Sequence, residues 1–139
     1  MDIQKLDKAL LALIKRRNEL RKMGYDHPDY DQEEETLQDE EQTFLDIYGD
    51  YFEEVIQKVH EVYCPESDPL LPTAYIPRQY RAYRDEELDL ETFEVGDNDG
   101  VSVDLADFPN LDARMLLLPS PPRIVLVSAA GEQEVWWAK

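Results

Sequence analysis

Cysteine is almost missing from this chain of 139 residues. With Cys64 alone, no intramolecular disulfide can form, and a reducing compartment fits best. Histidine is scarce too, with two residues, so few imidazoles could act as a general base. Ser67, Ser102, Ser120 and Ser128 lie in no nucleophile-elbow context. The five glycines lack the spacing of a phosphate-cradling loop. No apolar run approaches the ~18 residues of a membrane span. Met1-Asp2-Ile3-Gln4-Lys5-Leu6 is polar at once and lacks the apolar centre of a signal peptide. A cytoplasmic location is therefore expected, with no membrane partner. Positive charge is also in short supply: 14 Lys and Arg face 32 Asp and Glu, a formal net charge of -18. That balance argues against direct binding to nucleic acid, which is driven mainly by neutralising phosphates, and favours basic partners.

What is present is a folding chain. Its 42% hydrophobic content is too high for intrinsic disorder. Its length supports one domain over 1–139 with a real core. The most telling pattern is a charge split over helical periodicity. Residues 1–24 carry seven basic and three acidic side chains, whereas residues 25–64 carry fourteen acids and one base, Lys58. A basic helix folded against a longer acidic one is expected.

Ile3, Leu6, Leu10, Leu13, Arg17 and Leu20 recur at steps of three and four, which is a helical seam, and Leu11 and Ile14 widen it. Asp2 suits the start and Gly24 sits where a C′ glycine belongs. Arg21 and Lys22 suit the negative end of the helix dipole. The run from Leu10 to Leu20 resembles the opening helix of the all-helical chorismate mutases. That likeness stops at this helix. Such a site needs cationic residues converging from several helices, the second helix is almost purely acidic, and the rest of the chain reads as strands.

Pro28 pushes His27 out of helical backbone and makes a turn of residues 25–31. Asp29 or Asp31 then caps a second helix running to about Tyr63, ended by Pro65. Its apolar stripe is Leu37, Phe44, Ile47 or Tyr48, Tyr51 or Phe52, Val55, Val59 and Val62, with Gly49 marking a kink or a close helix approach. It outruns the first helix by about three turns, so its end needs another partner. Residues 65–72 form a proline-rich connector. Beyond it the period changes to two: 87–91 and 101–105 alternate like half-buried strands. Residues 96–100 make a turn. Met115–Leu118, Arg123–Ser128 and Glu134–Ala138 complete a meander whose strand 124–127 is buried on both faces. The fold class is thus α+β: an antiparallel helical hairpin (1–64), the connector (65–72), and a mainly β region (73–139) of four or five strands, packed on the second helix.

Candidate chemistry is sparse. His60 and Cys64 lie one helical turn apart, as half a zinc site would. Two further ligands are needed, however, and only His27 and carboxylates remain, so a buried thiol beside a surface imidazole is expected and no metal. Asp97-Asn98-Asp99-Gly100 fails as a calcium loop, because Val95 and Ala106 fall where carboxylates must stand. A weak divalent site among Asp97, Asp99 and Asp104 stays open. No cofactor motif is present. Arg78, Arg81 and Arg84, interleaved with Tyr80 and Tyr83, could form a pocket for an anionic group. Pairing with the ten acids of 85–107 is the simpler account. Arg16 and Arg17 on the first helix, and Trp136 and Trp137 on opposite faces of the last strand, are candidate contacts for a protein partner. The hairpin seam leaves a homodimer through a four-helix contact open. Binding surfaces are visible and catalytic motifs are not. The expected function is therefore a non-enzymatic interaction or structural module. The alternatives are an acidic decoy of a nucleic-acid-binding protein, or a binder of small anions through 75–84.

Overall fold

Asp2 opens the first helix, α1 (Ile3–Lys22), by accepting the Lys5 amide at 3.1 Å. In the computed structural model, which describes residues 1–139, Leu6, Leu10, Leu13 and Ile14 are its buried face. The chain leaves through Met23 in extended backbone, and Gly24 does not take the left-handed conformation its position suggests. Asp29 then stands at the start of α2 (Tyr30–Tyr63) without a side-chain cap, its amide donating instead to His27 Nδ1.

The two helices are 20 and 34 residues long, so α2 overhangs by about four turns. Its buried residues are Leu37, Phe44, Gly49, Phe52, Ile56, Val59 and His60. The expected stripe fails at Ile47 and Val62, which are 66% and 69% exposed. It also omits Ile56, which is fully buried. The reason is a change of partner. Along its first half α2 packs on α1. Past Phe52 it meets the sheet and the connector, which lie further round its circumference. Gly49 marks no close approach between helices: a Cβ there would meet only Leu45 of its own helix, at an ordinary 3.7 Å.

After a short 3-10 turn, η1 (Pro72–Tyr75), come six strands: β1 (Tyr80–Asp85), β2 (Leu90–Val95), β3 (Val101–Asp104), β4 (Asp112–Leu118), β5 (Arg123–Ser128) and β6 (Gly131–Trp137). They make two antiparallel sheets, a β1–β2 ribbon and a β3-β4-β5-β6 meander. The alternation at 87–91 misleads. Residues 86–89 are the ribbon's turn, with Asp85 Oδ1 accepting the Glu87 and Leu88 amides and Asp89 left-handed. The strand that pairs with β2 is instead the tyrosine- and arginine-rich segment.

The meander is covered on both sides, so its central strands lack the polar alternation of a solvated sheet. Met115, Leu117, Ile124 and Leu126 join the main core with α1 and α2. Leu116, Leu118 and Val125 face the other way, under Tyr80, Phe93 and Val95 of the ribbon. Gly100, with φ of +85°, turns the chain into β3, where a Cβ would lie 2.7 Å from the Met115 carbonyl.

Polar contacts tie α1 to every other layer. Arg17, with a side chain 11% exposed, pairs with Glu41 of α2 at 3.0 Å and donates to the carbonyls of Thr73 and Ile76. The Asn18 amide bonds both the N–H and the C=O of Tyr80 at 3.3 Å, standing in for a neighbouring strand. Asp7 accepts the Ser120 amide in the β4–β5 turn.

Three outcomes are expected in urea unfolding. Gly49→Ala should raise stability by up to about 1 kcal/mol, since the added Cβ makes only ordinary contacts and helical glycine is costly. Arg17→Ala should cost about 1–3 kcal/mol, because it removes the partner of the partly buried Glu41 carboxylate and the donor to the Ile76 carbonyl. Arg16→Ala, on the more exposed flank, should cost about 1 kcal/mol or less.

Candidate functional site

Past α1's reach, the C-terminal half of α2 is flanked by the connector, and one imidazole holds the two together. His60 is buried, not the surface imidazole that the sequence suggests. Its Nδ1 lies 2.9 Å from the Ser67 carbonyl and its Nε2 lies 2.8 Å from the Tyr75 hydroxyl. A carbonyl can only accept, so Nδ1 carries a proton, and in the tautomer protonated there Nε2 accepts from the Tyr75 O–H. That hydroxyl in turn accepts the Leu70 amide at 3.1 Å. Ser67 Oγ accepts the Asp104 amide, which links the connector to β3. Every polar group in this chain of bonds is satisfied, which fixes the path of residues 67–70.

The fixed connector walls a cleft of about 580 Å³ against α2. Glu53, Gln57 and Glu61 line it from the helix, and Asp68, Leu70 and Leu71 from the connector. Leu70 and Leu71 are more than half exposed. Glu53, Glu61 and Asp68 make no ion pair, and no Lys or Arg lines the cleft. The result is an acidic trough with aliphatic side chains at its rim. Cys64 nearby is fully buried, and burial, with help from Asp104, pushes its thiol above the ordinary range. It is an inert apolar filler and not a nucleophile.

The arginines of 78–84 do not converge. Strand parity sends Arg81 and Arg84 to opposite faces of the ribbon. Each arginine meets its own acid from 85–107: Arg78 with Asp99 at 3.7 Å, Arg81 with Glu94 at 3.0 Å, Arg84 with Asp89 at 2.5 Å. Tyr83 lies under the Arg81 guanidinium, 4.8 Å from ring centroid to Cζ. Tyr80 stacks on Phe93, and burial raises its hydroxyl's pKa.

Arg16 reaches Glu33 and Glu40 at 2.8 and 2.9 Å, so both it and Arg17 are engaged within the molecule. Trp136 packs edge-on against Tyr51 and Phe52, covering the overhang of α2. Trp137 is 45% exposed, with its indole N–H donated to Glu134.

Three features escape sequence reading. The His60–Tyr75 bond joins residues with no shared motif. Leu70 and Leu71 read as connector and not as a surface. Arg123 is nearly buried against Glu134 and over the Phe93 ring, at 5.6 Å. A lone arginine after two prolines gives no sign of that.

Alkali should expose the buried acids. Cys64 and Tyr75 both have folded pKa values above the ordinary 9.0 and 10.0, through burial. The unfolded chain therefore loses these protons first. Stability should be fully present below pH about 8 and fall as pH rises through 9 and 10. Urea midpoints across pH 7–11 test this, and Cys64→Ala should delay the onset. No protein-family model, curated protein or solved structure matches the chain.

Proposed function

We propose that the protein is a non-enzymatic interaction module whose trough between α2 and the connector docks a basic segment of a protein partner. One observation carries this reading: three unpaired carboxylates and two exposed leucines share a trough with no Lys or Arg in its lining. The carboxylates steer a cationic segment and set its orientation, while the leucines supply apolar anchoring that salt does not screen. The net charge of -18 extends the same field over the molecule.

A partner captured on immobilised protein should bear Lys or Arg beside aliphatic residues. Glu53→Lys with Glu61→Lys should weaken it at least tenfold, about 1.4 kcal/mol. Leu70→Ser with Leu71→Ser should abolish the fraction that survives a high-salt wash. Retention unchanged in both variants overturns the reading. Recovery only of nucleic-acid-binding proteins, lost at high salt and displaced by nucleic acid, identifies an acidic decoy instead.

Self-association has its own supporting feature. A second cleft of about 500 Å³ runs between the helices, with Ala9, Ala12 and Lys15 on one side and Asp39, Thr43 and the exposed Ile47 on the other. A two-fold axis parallel to the helices would set basic α1 over the partner's acidic α2 and give an antiparallel four-helix contact. Light scattering should then give a dimer that Ile47→Lys dissociates. A monomer at all concentrations excludes it.

A further inference from the structure

Arg21 stands apart from the other arginines. In a chain with more than twice as many acids as bases, it alone among them has neither an ion pair nor a hydrogen bond. A cation in the last turn of a helix is favoured by the dipole alone. That effect requires no cleft, and it brings no second guanidinium. Here both are present. Arg21 and Arg78 together line a cleft of about 460 Å³, at the corner where α1, α2, η1 and the 96–100 turn meet. Both also line an adjoining cleft of about 450 Å³.

The charges of the first cleft can be followed one by one. Arg17 is consumed by Glu41 and two backbone carbonyls. Asp99, almost wholly buried, places Oδ2 on the Gln79 and Gly96 amides at 2.9 Å each. That carboxylate is thus fixed by the backbone, and its Oδ1 lies 3.7 Å from Arg78 Nε, beyond hydrogen-bonding distance. Three arginines against Glu41 and Asp99 leave one positive charge, held by Arg21 and Arg78, whose side chain is 71% exposed. Apolar walls come from Leu20, Leu37 and Ile76, with the Tyr30 ring beside them. The size falls within the range of small-molecule sites, where a few convergent polar groups orient an apolar body.

We propose that this cleft binds a small organic carboxylate on an apolar or aromatic body. Arg21 and Arg78 take the carboxylate oxygens, Arg donors being matched to that planar group. Leu20, Leu37, Ile76 and Tyr30 cover the body. The single net positive charge, beside a fixed Asp99 carboxylate, selects a monoanion over a dianion. The site lies on α1's side of the molecule, apart from the α2–connector trough, and stands or falls independently of it.

Phenylacetate is the probe, titrated into the full-length protein and followed by two-dimensional amide NMR. Saturable shifts are expected at Arg21, Tyr30, Ile76 and residues 96–100. Acetate, which lacks the apolar body, should bind at least tenfold more weakly, and phenyl phosphate, a dianion, no more tightly. Arg21→Gln should weaken phenylacetate at least tenfold. This variant removes no ion pair or hydrogen bond within the protein and should leave the spectrum otherwise unchanged. Lys22→Gln carries the same loss of charge but lies outside the first cleft, and should leave affinity unaltered. The proposal is overturned by non-saturating shifts, by equal weakening in Arg21→Gln and Lys22→Gln, or by tighter binding of phenyl phosphate.

Discussion

The architecture depends on one guanidinium placed inside a hydrophobic seam. Arg17 occupies a position that the heptad spacing reserves for an apolar side chain, yet it is 11% exposed and fully engaged. Its aliphatic stem continues the seam between Leu13 and Leu20, while its head crosses to Glu41 and to the carbonyls of Thr73 and Ile76. One side chain thus sets the register of the two helices and the point at which the chain turns from helix to sheet. The next residue of α1, Asn18, bonds both backbone groups of Tyr80, where β1 starts. A neutral replacement for Arg17 could pack the seam but could not orient the third element.

From that junction the layers follow by elimination of exposed apolar surface. The four-stranded meander must bury both faces, since Met115 and Leu117 alternate with Leu116 and Leu118 along β4. Helices cover one face. The other needs a cover of its own, and the β1–β2 ribbon supplies it with Tyr80, Phe93 and Val95. The ribbon's outer face carries Arg81 and Glu94, which pair with each other, while Arg84 pairs with Asp89 at the ribbon's turn.

Much of this is legible in the residues themselves. The 3.6-residue spacing of Leu6, Leu10 and Leu13, the His27-Pro28 break and the stop at Pro65 locate both helices. Val101–Asp104 and the three C-terminal runs locate the meander. The ribbon is not legible, because Leu88 and Leu90 alternate with acids as a strand would, although the turn at 86–89 is stabilised by Asp85 and a left-handed Asp89. The candidate sites are less legible still. Spacing along the chain suggests that Arg78, Arg81 and Arg84 act together, but strand parity separates two of them, and Arg78 finds its neighbour in Arg21, far away in sequence. Likewise His60 and Cys64 look like a ligand pair, whereas the bonds that matter run from His60 to Ser67 and Tyr75. Proximity created by tertiary packing leaves no periodic trace.

The last strand carries a consequence for the life of the protein in a crowded solution. Trp136 opposes Ile124 and Glu134 opposes Val125, so Val135 is an extra residue that breaks the ladder of β6. This strand is a free border of the meander, a place where a second chain could extend the sheet indefinitely. The break, together with Glu132 and Glu134 on the same strand, spoils that template while leaving Trp136 seated on the helix. The irregularity that seats a tryptophan against the core therefore also makes this edge a poor template for strand addition.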